Sequence, residues 1–190
     1  DAVGVRGADA AVLRRRLAMV FQDPAASLDP RMTAGRSVAE PLRTHRLASG
    51  RDEMRSRAEQ LMDDVSLDRS FLDRYPHEMS GGQRQRVCLA RALASDPEVL
   101  ILDESTASLD VSVQANVLDL LAELQREKGL TYLFIAHDLA VVEQISDTVA
   151  VMQNGRVVES GPAVDILHNP ETDYTRMLLD AIPPETPSRA

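Results

Sequence analysis

Apolar residues recur along the chain with two periods. Leu17-Ala18-Met19-Val20-Phe21 form an unbroken run that follows the basic cluster Arg14-Arg15-Arg16 and stops at Gln22. A short apolar run between polar borders predicts a buried strand. Val99-Leu100-Ile101-Leu102 and the stretch 131–136 predict two more. Elsewhere the spacing is helical. Met54, Ala58, Leu61 and Val65 recur among charged residues and predict an amphipathic helix over 51–66. After Ser80 the period returns in Val87, Ala90 and Leu93 and predicts a helix to about Ala94. Val113, Val117, Leu121 and Leu124 share one face of a third helix, and 139–145 predicts a short fourth. Pro24, Pro30 and Pro41 punctuate a loop and a short helical stretch, and Tyr75-Pro76-His77-Glu78 breaks the helix before it. A strand at 148–152 turns through Gln153-Asn154-Gly155 into Arg156-Val157-Val158.

Strands that alternate with helices imply an α/β fold with a parallel sheet covered on both faces. The segment from about 24 to 78 is mostly helical and predicts a separate lobe. The end of the chain, from Ile182-Pro183-Pro184 onward, reads as unstructured. Composition narrows the function. Hydrophobic residues make up 44% of the 190, enough for a real core. The net charge of −9, with no basic block, argues against a nucleic-acid surface. The single cysteine, Cys88, excludes an internal disulfide and fits a reducing compartment. The longest apolar runs are too short to span a bilayer. Asp1-Ala2-Val3-Gly4 carries neither an initiator methionine nor a signal peptide, which reads as a fragment or a trimmed chain.

Chemistry concentrates where strands end. In open parallel sheets, ligands sit beyond the carboxyl ends of the strands. Asp103 stands there, where a carboxylate can hold a hydrated Mg²⁺ that bridges nucleotide phosphates. Glu104 follows, and can act as general base on an attacking water. Two carboxylates that merely cap a strand are the plainer reading. Gln22 also follows an apolar strand, where its amide can meet the ion or the water. His137 follows the strand at 131–136, and a neutral imidazole there can donate to a phosphate oxygen. Ser80-Gly81-Gly82-Gln83 reads as a capping box in which Ser80 and Gln83 bond reciprocally. Two glycines weaken a first helical turn but let another molecule approach its backbone, and a helix N-terminus attracts anions. Both readings hold together. Asp110 is read either as part of this site or as the plain N-cap of a helix from 111. His45, His77, His137 and His168 are scattered, without the pairing of a Zn or Ni site.

In this order the motifs resemble those of the nucleotide-binding subunits of ABC transporters. Met79 to Gln83 is similar to the family's L-S-G-G-Q, and Val99 to Glu104 resembles its Walker B strand and the glutamate after it. Gln22 falls at the Q-loop, Leu109-Asp110 at the D-loop and His137 at the H-loop. The resemblance implies a P-loop-type parallel sheet, here without its first strands, with an inserted helical subdomain at about 24–95. It implies that 1–182 is a partial ATPase domain with an importer-type tail at about 160–182, and that 183–190 is disordered. It further implies ATP and Mg²⁺ as cofactors. Glu104, His137 and Gln22 would be catalytic. Ser80, Gly81, Gly82, Gln83 and Asp110 would contact nucleotide, with Asp103 and Gln22 at the metal. The family works as a head-to-tail dimer with a second ATPase subunit, on transmembrane permease subunits at the cytoplasmic face of the membrane. An external substrate-binding protein takes part indirectly, and nucleic acid does not. The loop after Gln22 is where the family meets its permeases.

The segment from Val20 to Thr33, the run Leu109-Asp110-Val111-Ser112-Val113-Gln114 and the tail Asn169-Pro170 with Tyr174 to Leu179 resemble the dipeptide, oligopeptide and nickel importers. Three departures stand out. Ser105 replaces the family's proline, and Ala107-Ser108 inverts its Ser-Ala. The phosphate loop G-x-x-x-x-G-K-[ST] is nowhere in the 190 residues, so the chain is expected to be inactive alone. Two alternatives remain open at this point: a soluble ABC ATPase outside transport, and a non-hydrolysing remnant that only pairs with intact subunits.

Overall fold

The structure, a computed structural model, describes residues 6–107 and 109–181. The expectation for 183–190 therefore lies outside the described residues. Contacts divide the chain into two compact units, residues 1–135 and 136–190.

The first unit opens with α1 (Gly7–Arg16), which runs directly into β1 (Leu17–Val20). Four helices follow: α2 (Pro24–Ser27), α3 (Ala34–Thr44), α4 (Arg51–Asp64) and α5 (Gly81–Leu93). Then come β2 (Val99–Asp103), α6 (Val111–Lys128) and β3 (Thr131–Ile135). Between α4 and α5 the chain makes two short 3₁₀ helices, Arg69–Asp73 and Pro76–Glu78. The three strands form one parallel sheet in the order β1-β2-β3. The α/β expectation holds.

Register explains the core. Ala18, Leu100 and Tyr132 lie in one row across the sheet, and Val20, Leu102 and Phe134 in the next, all on the same face. Val20, Leu100 and Leu102 are fully buried. A buried leucine of this kind contributes about 1.5–3 kcal/mol. The Tyr132 hydroxyl ties β3 to α6 by donating to the Leu121 carbonyl at 2.8 Å, and burial pushes that phenol's pKa up. The opposite face carries Leu17, Leu133 and Ile135, which are exposed. The expectation of cover on both faces is thus met on one.

The helices between β1 and β2 pack on one another, α3 against α4 and α5, and α2 against α5. Leu42, Met62, Val65, Val87 and Leu89 fill the space between them. Three arginines of α5 serve this packing. Arg84 donates to the Met79 carbonyl at 3.1 Å, Arg86 to Val65 at 2.6 Å and Arg91 to Ser27 at 2.6 Å. Each satisfies a carbonyl that a turn or helix end leaves over. Two elements go beyond the sequence reading. Arg14 to Arg16 form the last turn of α1, where cations suit the helix dipole. The short stretch near Pro41 is an eleven-residue helix that continues past the proline.

The second unit begins with α7 (Leu139–Ile145) and the strands β4 (Thr148–Gln153) and β5 (Arg156–Pro162). β4 and β5 make an antiparallel hairpin that is a sheet of its own. α8 (Ala163–His168) packs on this hairpin, and α9 (Asp173–Asp180) ends the described chain. Glu159 secures α9. Its carboxylate accepts from the Glu171 N–H at 2.7 Å, from the Thr172 N–H at 3.2 Å, from the Thr172 hydroxyl at 2.7 Å and from the Thr175 hydroxyl.

Candidate functional site

Parallel pairing brings the ends of β1 and β2 side by side. Asp103 is the last residue of β2, paired with Ile135 of β3 and half-buried. The next N–H, of Glu104, donates to the Ile135 carbonyl at 2.9 Å. There the backbone leaves the strand through the left-handed region, with φ +43 at Glu104. A non-glycine residue held in that region costs about 1–3 kcal/mol, and such strain collects at working sites. Gln22, two residues after β1, donates from Nε2 to Glu104 Oε2 at 2.5 Å. A carboxylate only accepts, so the amide must turn its NH₂ to Glu104, and its carbonyl oxygen becomes the end that can face a cation. The structure therefore gathers Gln22, Asp103 and Glu104 at one end of the sheet. Among the described residues no cluster of three or more His, Cys, Asp or Glu stands ready to hold a metal.

The chain then turns back through Ser105 and Thr106, both buried, to Asp110. Among the described residues the enclosed Ser105 Oγ has no hydrogen-bond partner. Asp110 N-caps α6, as its plainer reading expects. Its carboxylate accepts from the Val113 N–H at 3.0 Å and from the Ser112 hydroxyl at 2.8 Å. Those two bonds hold its pKa below the ordinary carboxylate value.

Ser80 begins α5 as the sequence predicts. The Gln83 N–H donates to Ser80 Oγ at 3.3 Å, and the Ser80 N–H donates to Gln83 Oε1 at 2.9 Å. Ser80 and Gly81 are exposed, so the first turn presents its N–H groups outward. The two glycines differ. A Cβ on Gly81 would lie 3.7 Å from Leu109 Cδ2, an ordinary contact, whereas one on Gly82 would lie 2.6 Å from Val113 Cγ1. Just upstream the Tyr75 N–H donates to the Glu78 carboxylate at 2.7 Å and the Glu78 N–H to the Tyr75 carbonyl at 3.0 Å, which orders the approach. His137 belongs to the second unit. It is exposed, in the bend before α7.

The strained Glu104, the buried Ser105 hydroxyl and the contact of Val113 on Gly82 were not foreseen. Ser105 carried a signal, since it stands where the resembled family has proline. Val113 read simply as one of four residues on an apolar face.

Sheet, motif order and strand-end carboxylates define one class of protein, and comparison agrees. The ABC transporter family model matches residues 3–107, and the chain belongs to this family. It is 52% identical over 185 residues to the glutathione import ATP-binding protein GsiA of Pectobacterium atrosepticum, covering 97% of this chain and 30% of GsiA. It is 54% identical over 169 residues to the oligopeptide transport ATP-binding protein OppF of Bacillus subtilis, covering 89% of this chain and 55% of OppF. The chain thus spans less than a third of GsiA and just over half of OppF. Among solved structures, cbiO1 of Clostridium perfringens, part of the ABC transporter complex cbiONQ, superposes with a TM-score of 0.71 at 33% identity. That match covers 80% of this chain and 59% of cbiO1. A dimeric ATP-binding cassette in a post-hydrolysis state, bound to ADP and phosphate, gives 0.69 at 30% identity, covering 83% and 68%.

Proposed function

We propose that the protein carrying this chain is the ATP-hydrolysing subunit of an importer for peptides or peptide-like compounds. The bond from Gln22 to Glu104 beside Asp103 carries the reading. It gathers an amide and two carboxylates at the carboxyl end of a parallel sheet, the end beyond which ligands of such sheets sit, and this supports the reading. The names of the relatives, a glutathione and an oligopeptide importer, favour a peptide-like cargo over nickel.

The roles follow from donor chemistry. Asp103 and the carbonyl oxygen of Gln22 would hold Mg²⁺, which, when bound, neutralises charge on the phosphate oxygens. Glu104 would take a proton from the attacking water. His137 would donate to a phosphate oxygen. Ser80 and the N–H groups of the turn 81–83 would grip the nucleotide held by a second ATPase subunit, with Asp110 near that interface. The helical lobe at about 24–95, and Ala25 to Leu28 above all, would meet the transmembrane subunits at the cytoplasmic face. An external binding protein would choose the cargo.

A two-part experiment tests this. The 190-residue chain, which contains no phosphate loop, should give no micromolar heat of binding for Mg-ATP in calorimetry. In the complete subunit, Ser80→Arg should abolish ATP-driven dimerisation, seen by size-exclusion chromatography with light scattering. Micromolar binding by the chain, or an ATP dimer that survives Ser80→Arg, overturns the assignment.

A further inference from the structure

Gly82 and Val113 lock two helix starts together. The 2.6 Å separation between a Cβ on Gly82 and Val113 Cγ1 is closer than such atoms ever come. Val113 has little freedom to yield. It is β-branched, so one χ1 rotamer dominates on a helix. Its own N–H is fastened to Asp110 Oδ1 at 3.0 Å. Asp110 closes the loop that starts at the strained Glu104, and within that loop the Ala107 N–H donates to the Glu104 carbonyl at 3.0 Å and the Leu109 N–H to Thr106 at 3.2 Å. The first turn of α5 therefore rests on the first turn of α6, and α6 is fixed to the loop that follows the catalytic candidate. Among the described residues, a side chain at Gly81 would meet only the end of Leu109, at 3.7 Å.

We propose that Val113 is a positioning residue for the Ser80 turn. Its side chain fills the space that a Cβ at residue 82 would need, and so fixes the turn 80–83 against the turn 109–113 as one rigid body. On this account residue 82 is glycine to admit Val113, and residue 81 is glycine to leave the outer side of the turn open to a phosphate. The inference rests on the nucleotide-gripping role of Ser80 and adds what holds that group in place. Placement matters because a shift of about 1 Å in a reacting group costs about 100-fold in rate. Both halves of the contact are local, one on each helix, so a second substitution can restore what the first removes.

The test uses the complete subunit assembled with its partners, with ATP turnover measured against ATP concentration. Gly82→Ala should lose about 100-fold in kcat/KM, since the added methyl drives the turn off Val113. The double variant Gly82→Ala with Val113→Ala should recover roughly tenfold of that loss, because the methyl group in the way is gone. Val113→Ala alone should raise the KM for ATP several-fold with kcat nearly unchanged. Val113→Thr, which keeps the branch at Cβ, should retain the parental KM. A double variant as inactive as Gly82→Ala overturns the proposal, and so does a parental KM in Val113→Ala, which does not depend on Gly82→Ala folding. Ser80→Arg run alongside separates the causes. Normal turnover in that variant would sink the nucleotide role of the turn itself, whereas its loss together with a failed rescue sinks only the role of Val113.

Discussion

Glu104, just past the end of β2, and Glu159, in the middle of β5, meet different surroundings. Glu159 is buried and receives four hydrogen bonds, from two backbone N–H groups and two hydroxyls. All come from residues 171–175, so the carboxylate works as a clamp on the chain that leads into α9. Glu104 is half-buried, receives the amide of Gln22 and sits on a strained backbone. A carboxylate saturated by rigid donors stabilises one conformation. One held by a long, exposed side chain such as Gln22 can change partner when a phosphate and its ion arrive. On the proposed function, the contrast separates a structural acid from a working one, although both accept short bonds.

The widest gap between them should be seen in turnover. Glu104→Gln in the complete subunit keeps the shape but cannot take a proton, and should lower ATP hydrolysis by about 10²–10⁴-fold with nucleotide still bound. Glu159→Gln should leave hydrolysis nearly unchanged. Near-normal rates in Glu104→Gln would end the case for Glu104 as base. In hydrogen exchange the order reverses. Glu159→Gln should speed exchange at the amides of α9, and Glu104→Gln should not.

Acid sharpens the same contrast. The hydroxyls of Thr172 and Thr175, followed by the Glu171 N–H, hold the Glu159 pKa down to about 2 from an ordinary 4.5. A group whose pKa is lowered on folding adds stability that is complete above the unfolded value. That stability fades as the pH falls through the window from 4.5 towards 2. Protection of α9 should therefore weaken across that window in the parent and change little in Glu159→Gln. A flat profile in the parent would deny the clamp.

The smallest expected effect is at Ser105, the neighbour of Glu104. Its enclosed hydroxyl has no partner among the described residues, and removing it in Ser105→Ala should raise stability by about 1 kcal/mol. In thermal unfolding that is a rise of about 2–4 °C for a chain of this size. A loss of stability would mean that the hydroxyl is bonded in solution.

The sequence reading was strongest where the signal is periodic or covalently local. Leu17 to Val20, Val99 to Asp103 and Thr131 to Ile135 are short apolar runs, and each is a strand of the parallel sheet. The caps at Ser80 and Asp110 depend on residues two or three positions apart, so their bonds could be read directly. Arg14 to Arg16 carried no reading because a basic run has no period of its own, and only the backbone shows that it ends a helix. The helix through Pro41 survives because packing of Val38 and Leu42 outweighs one missing bond, a tertiary effect invisible locally. The contact of Val113 on Gly82 joins residues 31 positions apart and depends on how two helices meet. No pattern along one chain encodes such a distance. The bond from Gln22 to Glu104 follows from parallel pairing of two strands whose ends were read separately.

The grip of Arg91 on Ser27 gives α5 the character of a lever. The helix is held near its far end by the segment that follows Gln22, and its near end is the Ser80 turn. Ten residues separate Gly81 from Arg91, about 15 Å at the rise of an α-helix. A tilt of about 5° over that arm would carry the Ser80 turn by roughly 1.3 Å. On the proposed function, a modest push on Ala25 to Leu28 would then reach the Ser80 turn through one helix, and the contact of Val113 on Gly82 would carry it on into α6.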